Sequence, residues 1–430
     1  MPLGDGARAR RLTVAAPTLP VVARDADRDE EVKILPEPTP AEASALDFSL
    51  VREDSLHDAQ RAARLMPLRG FALPRRIAIL VALTWAPLVI AALVNRRAFE
   101  GTEPLLQHFG VHARFLIAIP LFLIAEPFAE TVGRRILSYF LSSGLVPESE
   151  RASFVEVIQS CRRLLRSRLA LIGVVGFAVL QAALSVRDLS HMHEIQGWAM
   201  SQGQEGAHLG FGAWWFLLVS RPIYGVLMFN WVWRLIVTVV LLWRISRLDL
   251  QLVPTHPDGC GGLGFLQSIP TVFAPVIVAS SAVLASRWGH DVLYHNVPVE
   301  SLRLPMVLFV ALVLVLFLAP LLVFVPKLLV LKRRGLLAYG ALVGRHSRLV
   351  ERRWVRGETV VDDGLLDAPE LGPVADTLTL YEAIAKLKIA PIGKQSIVTV
   401  VGAAVIPMLP VIAIQVPIKD QLLSVIKILL

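Results

Sequence analysis

Long apolar runs alternate with short, arginine-rich polar segments along most of this chain. Several runs approach or exceed 18 residues, the length at which an apolar run becomes a candidate transmembrane helix. Because an α-helix rises 1.5 Å per residue, about 20 residues cross the hydrocarbon core of a bilayer. The pattern predicts an all-α, polytopic bundle of about seven spans, near 77–94, 115–133, 169–186, 222–243, 271–288, 305–326 and 396–416.

The fourth apolar run is longer than a single span requires. It extends from Trp214 to Trp243, and its 30 residues would form a straight helix about 44 Å long. Proline is tolerated in the first turn of a helix, so the sequence Ser-Arg-Pro at 220–222 predicts that the spanning helix starts there. The aromatic residues 214–216 would then lie in the outer interface, and Trp243 would mark the inner one.

The polar segments divide the chain into four regions. Residues 1–70 predict a largely disordered tail, with an amphipathic helix at 41–66 on the membrane surface or against the protein. Residues 71–330 hold six spans, and 331–395 form a basic region with short amphipathic helices. In the last region, 396–430, two prolines interrupt the apolar run, so it either crosses once or re-enters.

The distribution of positive charge predicts the orientation. Segment 134–168 carries seven Arg and Lys residues and 331–395 carries eleven, whereas 187–212 carries only Arg187. By the positive-inside rule, the N-terminus and the basic segments are expected to face the cytoplasm. A basic helix at 336–355 would lie along anionic lipid headgroups, and a second helix at 376–389 would lead to the last span.

Composition excludes several classes of protein. The chain is 55% hydrophobic, which is above the apolar share of an ordinary soluble domain. Its mean hydropathy is +0.60. Its net charge of +8 comes largely from arginines beside the spans, so it does not indicate nucleic-acid binding. Two cysteines do not form a disulfide framework. HExxH, GxSxG, Walker A and kinase motifs are absent, so the sequence predicts no cofactor and does not favour an enzyme. A homo-oligomer is compatible with it.

Three charged residues lie inside the second and fourth predicted spans. Glu126 and Glu130 are one helical turn apart and share a face, and Arg234 lies at a similar predicted depth in another span. An ionisable group in the bilayer core costs roughly 2.5–3.5 kcal/mol, so Arg234 is expected to pair with Glu126. The cluster indicates an ion or proton pathway, or alternatively a structural lock between helices.

The loop between the fourth and fifth predicted spans is rich in glycine. Two kinds of site are possible there. The backbone amides around Gly259, Gly261 and Gly262 could bind an anion, and His256 and Asp258 are side chains of the metal-ligand type. No further Cys or His follows at zinc-ligand spacing. The alternative is a tightly packed turn in which Asp258 caps the backbone.

Histidines concentrate on the predicted outer side, which holds seven of the ten. Imidazole is a ligand for zinc and copper, so His191, His193, His290 and His295 are candidates for an external metal site. The alternative is that these are polar loop residues at the headgroup boundary.

Two segments resemble a known group of sequences. The first contains "RPIYGVLMFNWVWRL" followed by "RISRLDLQLVPTHPDGCGGLGFL". The second is the C-terminal "VIPMLPVIAIQVP". Together they resemble bacterial integral membrane proteins of unassigned activity with a His-Pro-Asp-x-x-Gly-Gly-Leu-Gly-Phe loop. The resemblance implies an inner-membrane location, and implies that Arg234, His256, Asp258, Gly261 and Gly262 belong to the group's pattern.

The residues leave three functions open. The charge cluster favours a channel or secondary transporter for a small ion or solute. A sensor, scaffold or accessory subunit would use the basic region to bind a partner. A membrane metal or redox protein would use the histidines.

Overall fold

A computed structural model describes residues 39–40, 47–66, 70–101, 103–187, 198–203, 206–358 and 372–415. Within these ranges the protein is a helical bundle, so the predicted fold class is confirmed. Most of the predicted tail and the final apolar stretch, residues 421–430, lie outside the described ranges. The predictions of disorder and of re-entry therefore stay predictions.

The secondary-structure elements are numbered in chain order. The helices are α1 (Ser55–Ala62), α2 (Leu73–Val94), α3 (Phe109–Ser142), α4 (Arg151–Leu165), α5 (Arg168–Arg187), α6 (Phe211–Ile245), α7 (Gly264–Tyr294), α8 (Val299–Val355), α9 (Gly372–Ala385) and α10 (Lys394–Ile414). Two strands, β1 (Met200–Gly203) and β2 (Gly206–Leu209), pair antiparallel between α5 and α6. Single 3₁₀ turns lie at Leu105–Gln107 and Glu148–Glu150.

Among the described residues, six helices are long and apolar enough to cross a membrane: α2, α3, α6, α7, α8 and α10. Helix α5 is the seventh candidate, because it continues at a 42° bend from the helical segment Glu148–Leu165. It packs along α6, where a Cβ on Gly225 would lie 3.1 Å from the Ala178 Cβ. Each predicted span thus corresponds to a helix, and the chain is a multi-pass membrane protein.

Apart from the π-helical turn Glu351–Val355 at the end of α8, every irregular turn described in these long helices has a proline within two residues, because proline lacks the N–H that the regular helix needs. The irregular turns are at Ala113–Ala118, Phe216–Ser220, Gly264–Ser268, Ala319–Phe324 and Ile406–Met408, with single-residue breaks at Trp85 and Phe273. The predicted helix start at 220–222 is therefore wrong. A π-helical turn at Phe216–Ser220 accommodates Pro222 inside one continuous helix of 35 residues.

The two ends of the bundle differ in composition. We call the end formed by α4, the 246–263 loop and α9 the basic end, and the end formed by the 95–108 and 295–298 loops the histidine end. Helix α8 has 57 residues, about 86 Å at 1.5 Å per residue, so it extends far beyond a hydrocarbon core about 30 Å thick.

Helix α9 packs antiparallel on this extension. A Cβ on Gly335 would lie 3.1 Å from Ile384, and the Lys332 Nζ donates to the Leu387 carbonyl at 2.8 Å. The Lys388 amide then donates to the Gly259 carbonyl at 2.9 Å. These contacts join the extension to the glycine-rich loop.

Candidate functional site

Four buried charged side chains from four different segments meet inside the bundle. We call Asp54, Arg76, Glu126 and Arg234 the ion cluster. The Arg76 Nη1 lies 2.6 Å from Glu126 Oε2, and the Arg234 Nη2 lies 3.4 Å from Glu126 Oε1. The Arg234 Nε lies 3.0 Å from Asp54 Oδ2. The predicted pairing of Arg234 with Glu126 is confirmed, and two carboxylates balance two guanidinium groups.

Neutral side chains complete the ion cluster. The Asn230 Nδ2 donates to Asp54 Oδ2 at 2.6 Å, and the Arg76 Nη2 donates to the Gln60 Oε1 at 2.5 Å. The Arg234 guanidinium also lies 4.7 Å from the ring centre of Trp231. Glu126 is 3% exposed and both arginines are 1% exposed, so each charge depends on these partners rather than on bulk water.

Local structure explains how Asp54, Arg76, Arg234 and the neutral Asn230 are positioned in the ion cluster. Asp54 is the N-cap of α1, where its Oδ1 accepts from the Leu56 amide at 3.2 Å, which leaves Oδ2 for the bundle. Arg76 lies in the first turn of α2. Arg234 and Asn230 are four residues apart on α6, so they point to the same side and hold one carboxylate oxygen together.

The ion cluster lies deeper toward the basic end than the sequence predicted. Helix α3 starts at Phe109 rather than near 115, so Glu126 is about 26 Å from its first residue. Arg76 is about 27 Å from Val94, the last residue of α2. These distances place the ion cluster near the basic-end boundary of a core about 30 Å thick. A polar segment from that end therefore reaches it.

Glu130 belongs to a different set of contacts. Its carboxylate accepts from the Ser49 hydroxyl, and lies 3.2 Å from the Arg52 Nε and 2.7 Å from the Arg134 Nη2. Glu130 and Glu126 share a face of α3, as predicted, but each is neutralised by its own arginines. This arrangement does not fit a proton or a cation held between the two carboxylates.

The polar segment that reaches the ion cluster comprises residues 47–66, which we call the N-terminal segment. Phe48 and Val51 are fully buried against the bundle. Glu53 pairs with Arg162 at 2.8 Å, and the Ser55 hydroxyl donates to the Leu165 carbonyl at 3.1 Å. The segment was predicted to lie on the membrane surface or against the protein, and the second position is confirmed. Of the predicted helix at 41–66, the structure forms α1 over Ser55–Ala62.

A small cavity with about 40 Å³ of free volume lies beside the N-terminal segment. Residues 48–50 form one wall, and α3, α6 and α7 form the others. Ser49, Glu130 and Thr238 are the polar side chains of an otherwise apolar lining. The volume admits a few water molecules. The N-terminal segment is thus both a wall of this cavity and a ligand of the ion cluster.

His57 is the polar residue of the N-terminal segment that the bundle does not satisfy. Its side chain is buried, and neither ring nitrogen has a hydrogen-bond partner in the described structure. Burial lowers the pKa of His57 to about 4, with Arg61, Arg234 and Arg76 adding to this and Glu126 opposing it. The ring is therefore neutral at pH 7.

We predict that acid weakens docking of the N-terminal segment through His57. Released into water, the ring regains its ordinary pKa of about 6.5 and binds the proton more tightly than when docked. Docking is therefore unaffected above pH 6.5 and loses about 3 kcal/mol in total as the pH falls to 4. Melting temperatures measured across this range should fall in the parent more steeply than in His57→Leu. Parallel curves would contradict the prediction.

The glycine-rich loop is a packed turn organised by Asp258. Its Oδ1 accepts from the amides of Cys260 and Gly262 at 2.7 and 3.2 Å, and its Oδ2 from the Gly264 amide at 2.7 Å. Burial alone raises the pKa of Asp258, but these bonds and His256 outweigh it and hold the pKa below its usual value. The predicted anion nest is therefore filled by the chain's own carboxylate.

We predict that Gly261→Val lowers the amount of folded protein far more than Gly259→Val. Both glycines have positive φ, +65° and +62°, so valine is strained equally at either position. A Cβ at Gly261 would also lie 2.8 Å from Leu331, whereas the space around Gly259 is open. The extra overpacking costs about 1–3 kcal/mol, measurable as detergent-solubilised yield and melting temperature. Equal losses would show that the loop is not packed at Gly261.

The histidines do not form a metal site in the part of the chain that the structure describes. His290 stacks on His108 with ring centres 5.1 Å apart, and its Nδ1 lies 2.8 Å from the Gln107 carbonyl oxygen. The ring of His295 is 5.2 Å away, edge-on. No group of three or more potential ligands in the described ranges has metal-binding geometry. His191 and His193 lie outside those ranges.

Sequence reasoning missed Asp54, Arg76, Asn230 and Ser49. A charge count offered a partial signal, because the two glutamates of the second predicted span and the one arginine of the fourth leave an excess negative charge that needs another cation. Comparison of the chain with protein-family models, curated proteins and solved structures found no match. The resemblance drawn from the loop motif thus stays a prediction, and function is argued from the geometry of the site.

Proposed function

We propose that the protein is a channel or secondary transporter for a small ion or solute, whose pathway runs past the ion cluster and is closed by the docked N-terminal segment. The observation that carries the proposal is the position of that segment. It comes from outside the spans and supplies one of the four charges in the ion cluster. It also walls the cavity that holds Glu130. Charged residues inside a bundle, next to a removable segment, are typical of substrate and ion pathways.

A cross-link tests this closure. The Ser55 hydroxyl lies 3.3 Å from the Ser167 carbonyl oxygen, so the two residues are neighbours. A disulfide between cysteines placed at both positions, once demonstrated by non-reducing gel electrophoresis, would hold the N-terminal segment in place. Proteoliposomes would be assayed for flux of protons, sodium, chloride and formate. We expect flux of one of these probes when the disulfide is reduced, and background flux when it is oxidised. No flux of any probe in either state, or equal flux in both, would overturn the proposal.

The extension of α8 favours a second candidate, a membrane scaffold or sensor. Leu337, Trp354 and Val355 are largely exposed on the part of α8 beyond the spans. Exposed apolar side chains of this size are typical of partner-binding surfaces. Under this alternative, Trp354→Ala would abolish capture of a partner and leave flux unchanged, whereas cross-linking the N-terminal segment would have no effect.

We further propose that the protein resides in a bacterial inner membrane with its basic end in the cytoplasm. The arginine asymmetry supports this orientation. In a background without Cys161 and Cys260, an impermeant thiol reagent added outside intact cells should label Gln202→Cys. It should not label Val355→Cys, or Asp363→Cys in the same predicted cytoplasmic region, until the membrane is permeabilised. The reverse pattern would contradict the orientation.

A further inference from the structure

We propose that the donors that hold Asp54 form a binding site for a small monovalent carboxylate, and that Asp54 occupies this site in place of the substrate while the N-terminal segment is docked. This inference rests on the proposed transport function and names its substrate class. The site consists of Arg234 Nε and Asn230 Nδ2, which lie 3.0 and 2.6 Å from one oxygen of Asp54.

The charge balance supports an anion. With the N-terminal segment docked, Asp54 and Glu126 offset Arg76 and Arg234. If the segment leaves, the remaining three residues, Arg76, Glu126 and Arg234, carry one excess positive charge. By Coulomb's law this excess charge attracts a monovalent anion and repels a cation.

The donor geometry supports a carboxylate. A guanidinium N–H and an amide N–H four residues apart on α6 donate to the same oxygen, Oδ2 of Asp54, and one of the two bonds is charge-assisted. Asp54 reaches them from the start of α1, and its other oxygen, Oδ1, accepts from the Leu56 amide of its own segment. The two α6 donors therefore hold one carboxylate oxygen, and the carboxylate group of Asp54 is about the size of formate.

The departing segment would free a third donor. The Arg76 Nη2 bonds to Gln60, which also belongs to the N-terminal segment, while its Nη1 stays on Glu126. Both connections between the guanidinium groups of the ion cluster and this segment are thus polar and exchangeable. A soluble carboxylate would compete with Asp54 for them and thereby favour undocking.

Chemical rescue tests the site without relying on transport. Asp54→Gly removes the carboxylate and leaves space for formate, whereas Asp54→Asn fills the same space and retains an oxygen acceptor. We expect sodium formate, compared with sodium chloride at equal ionic strength, to raise the melting temperature of Asp54→Gly by about 2–4 °C or more. It should not raise that of Asp54→Asn. If Asp54→Gly is recovered poorly, its yield after purification in formate or chloride gives the same comparison.

Uptake of labelled formate and sodium by proteoliposomes containing Asp54→Gly separates the two proposals. Rescue with formate uptake supports both. Rescue without flux of either probe supports the carboxylate site and overturns the transport function. Sodium flux without rescue supports transport and overturns the carboxylate site. Equal stability in formate and chloride with no flux overturns both.

Discussion

Arg234→Leu is expected to destabilise the protein by about 3–5 kcal/mol, the usual result of removing one partner from a buried ion pair. Arg234 is 1% exposed, and it contacts Asp54 at 3.0 Å and Glu126 at 3.4 Å. Its removal leaves one excess negative charge inside the bundle. The loss should appear in denaturant or thermal unfolding of the purified protein in detergent.

A second mutation added to Arg234→Leu shows which carboxylate has lost its partner. Glu126 keeps Arg76 at 2.6 Å, whereas Asp54 keeps only the neutral Asn230. Asp54→Asn should therefore restore more of the loss than Glu126→Gln, since Glu126→Gln would also weaken the hold on Arg76. Arg247→Leu is the control, because this arginine is exposed and its loss should cost less than about 1 kcal/mol. Simple addition of the single effects would show that the residues do not interact.

Glu126→Ala is expected to be at least as damaging, because Glu126 is the one member of the ion cluster that contacts both arginines. Without it, Arg234 keeps Asp54, Arg76 keeps the neutral Gln60, and the cluster carries one excess positive charge. We expect a loss of about 3–5 kcal/mol, or failure to recover folded protein.

Glu130→Ala is the matched control on the same helix face. Its partners Arg52 and Arg134 have side chains that are 45% and 38% exposed, so water solvates them when the carboxylate is removed. The expected loss is about 1 kcal/mol. Unfolding curves of the two variants in the same detergent make the comparison. A larger loss at Glu130 than at Glu126 would contradict the assignment of Glu126 as the centre of the ion cluster.

Local patterns in the sequence predicted most of the fold. The apolar runs predicted where each spanning helix lies, and the cost of burying charge predicted that Arg234 would pair with Glu126. The helix ends were less predictable, because Pro120 and Pro222 follow π-helical turns rather than marking helix starts. This difference moved Glu126 about 9 Å further from the start of its helix, since α3 begins six residues earlier.

The N-terminal part of the site was not predictable from local patterns. Asp54 is 180 residues from Arg234 in the chain, and Arg76 is 50 residues from Glu126. Such contacts depend on tertiary packing, which no periodicity reports. Residues 47–66 are polar and precede the first span, so their sequence resembles a surface segment. Its buried side chains, such as Val51, appear only when the bundle is assembled.

The most direct test is whether the N-terminal segment leaves the ion cluster. Spin labels at two exposed positions, Asp58→Cys on α1 and Ser138→Cys on α3, would report their separation in the purified full chain by pulsed electron resonance. Our account predicts a short, narrow distance in chloride at neutral pH. A longer, broad population should grow with added formate, through competition with Asp54, and with acid, through His57. A single short distance under all of these conditions would contradict the account.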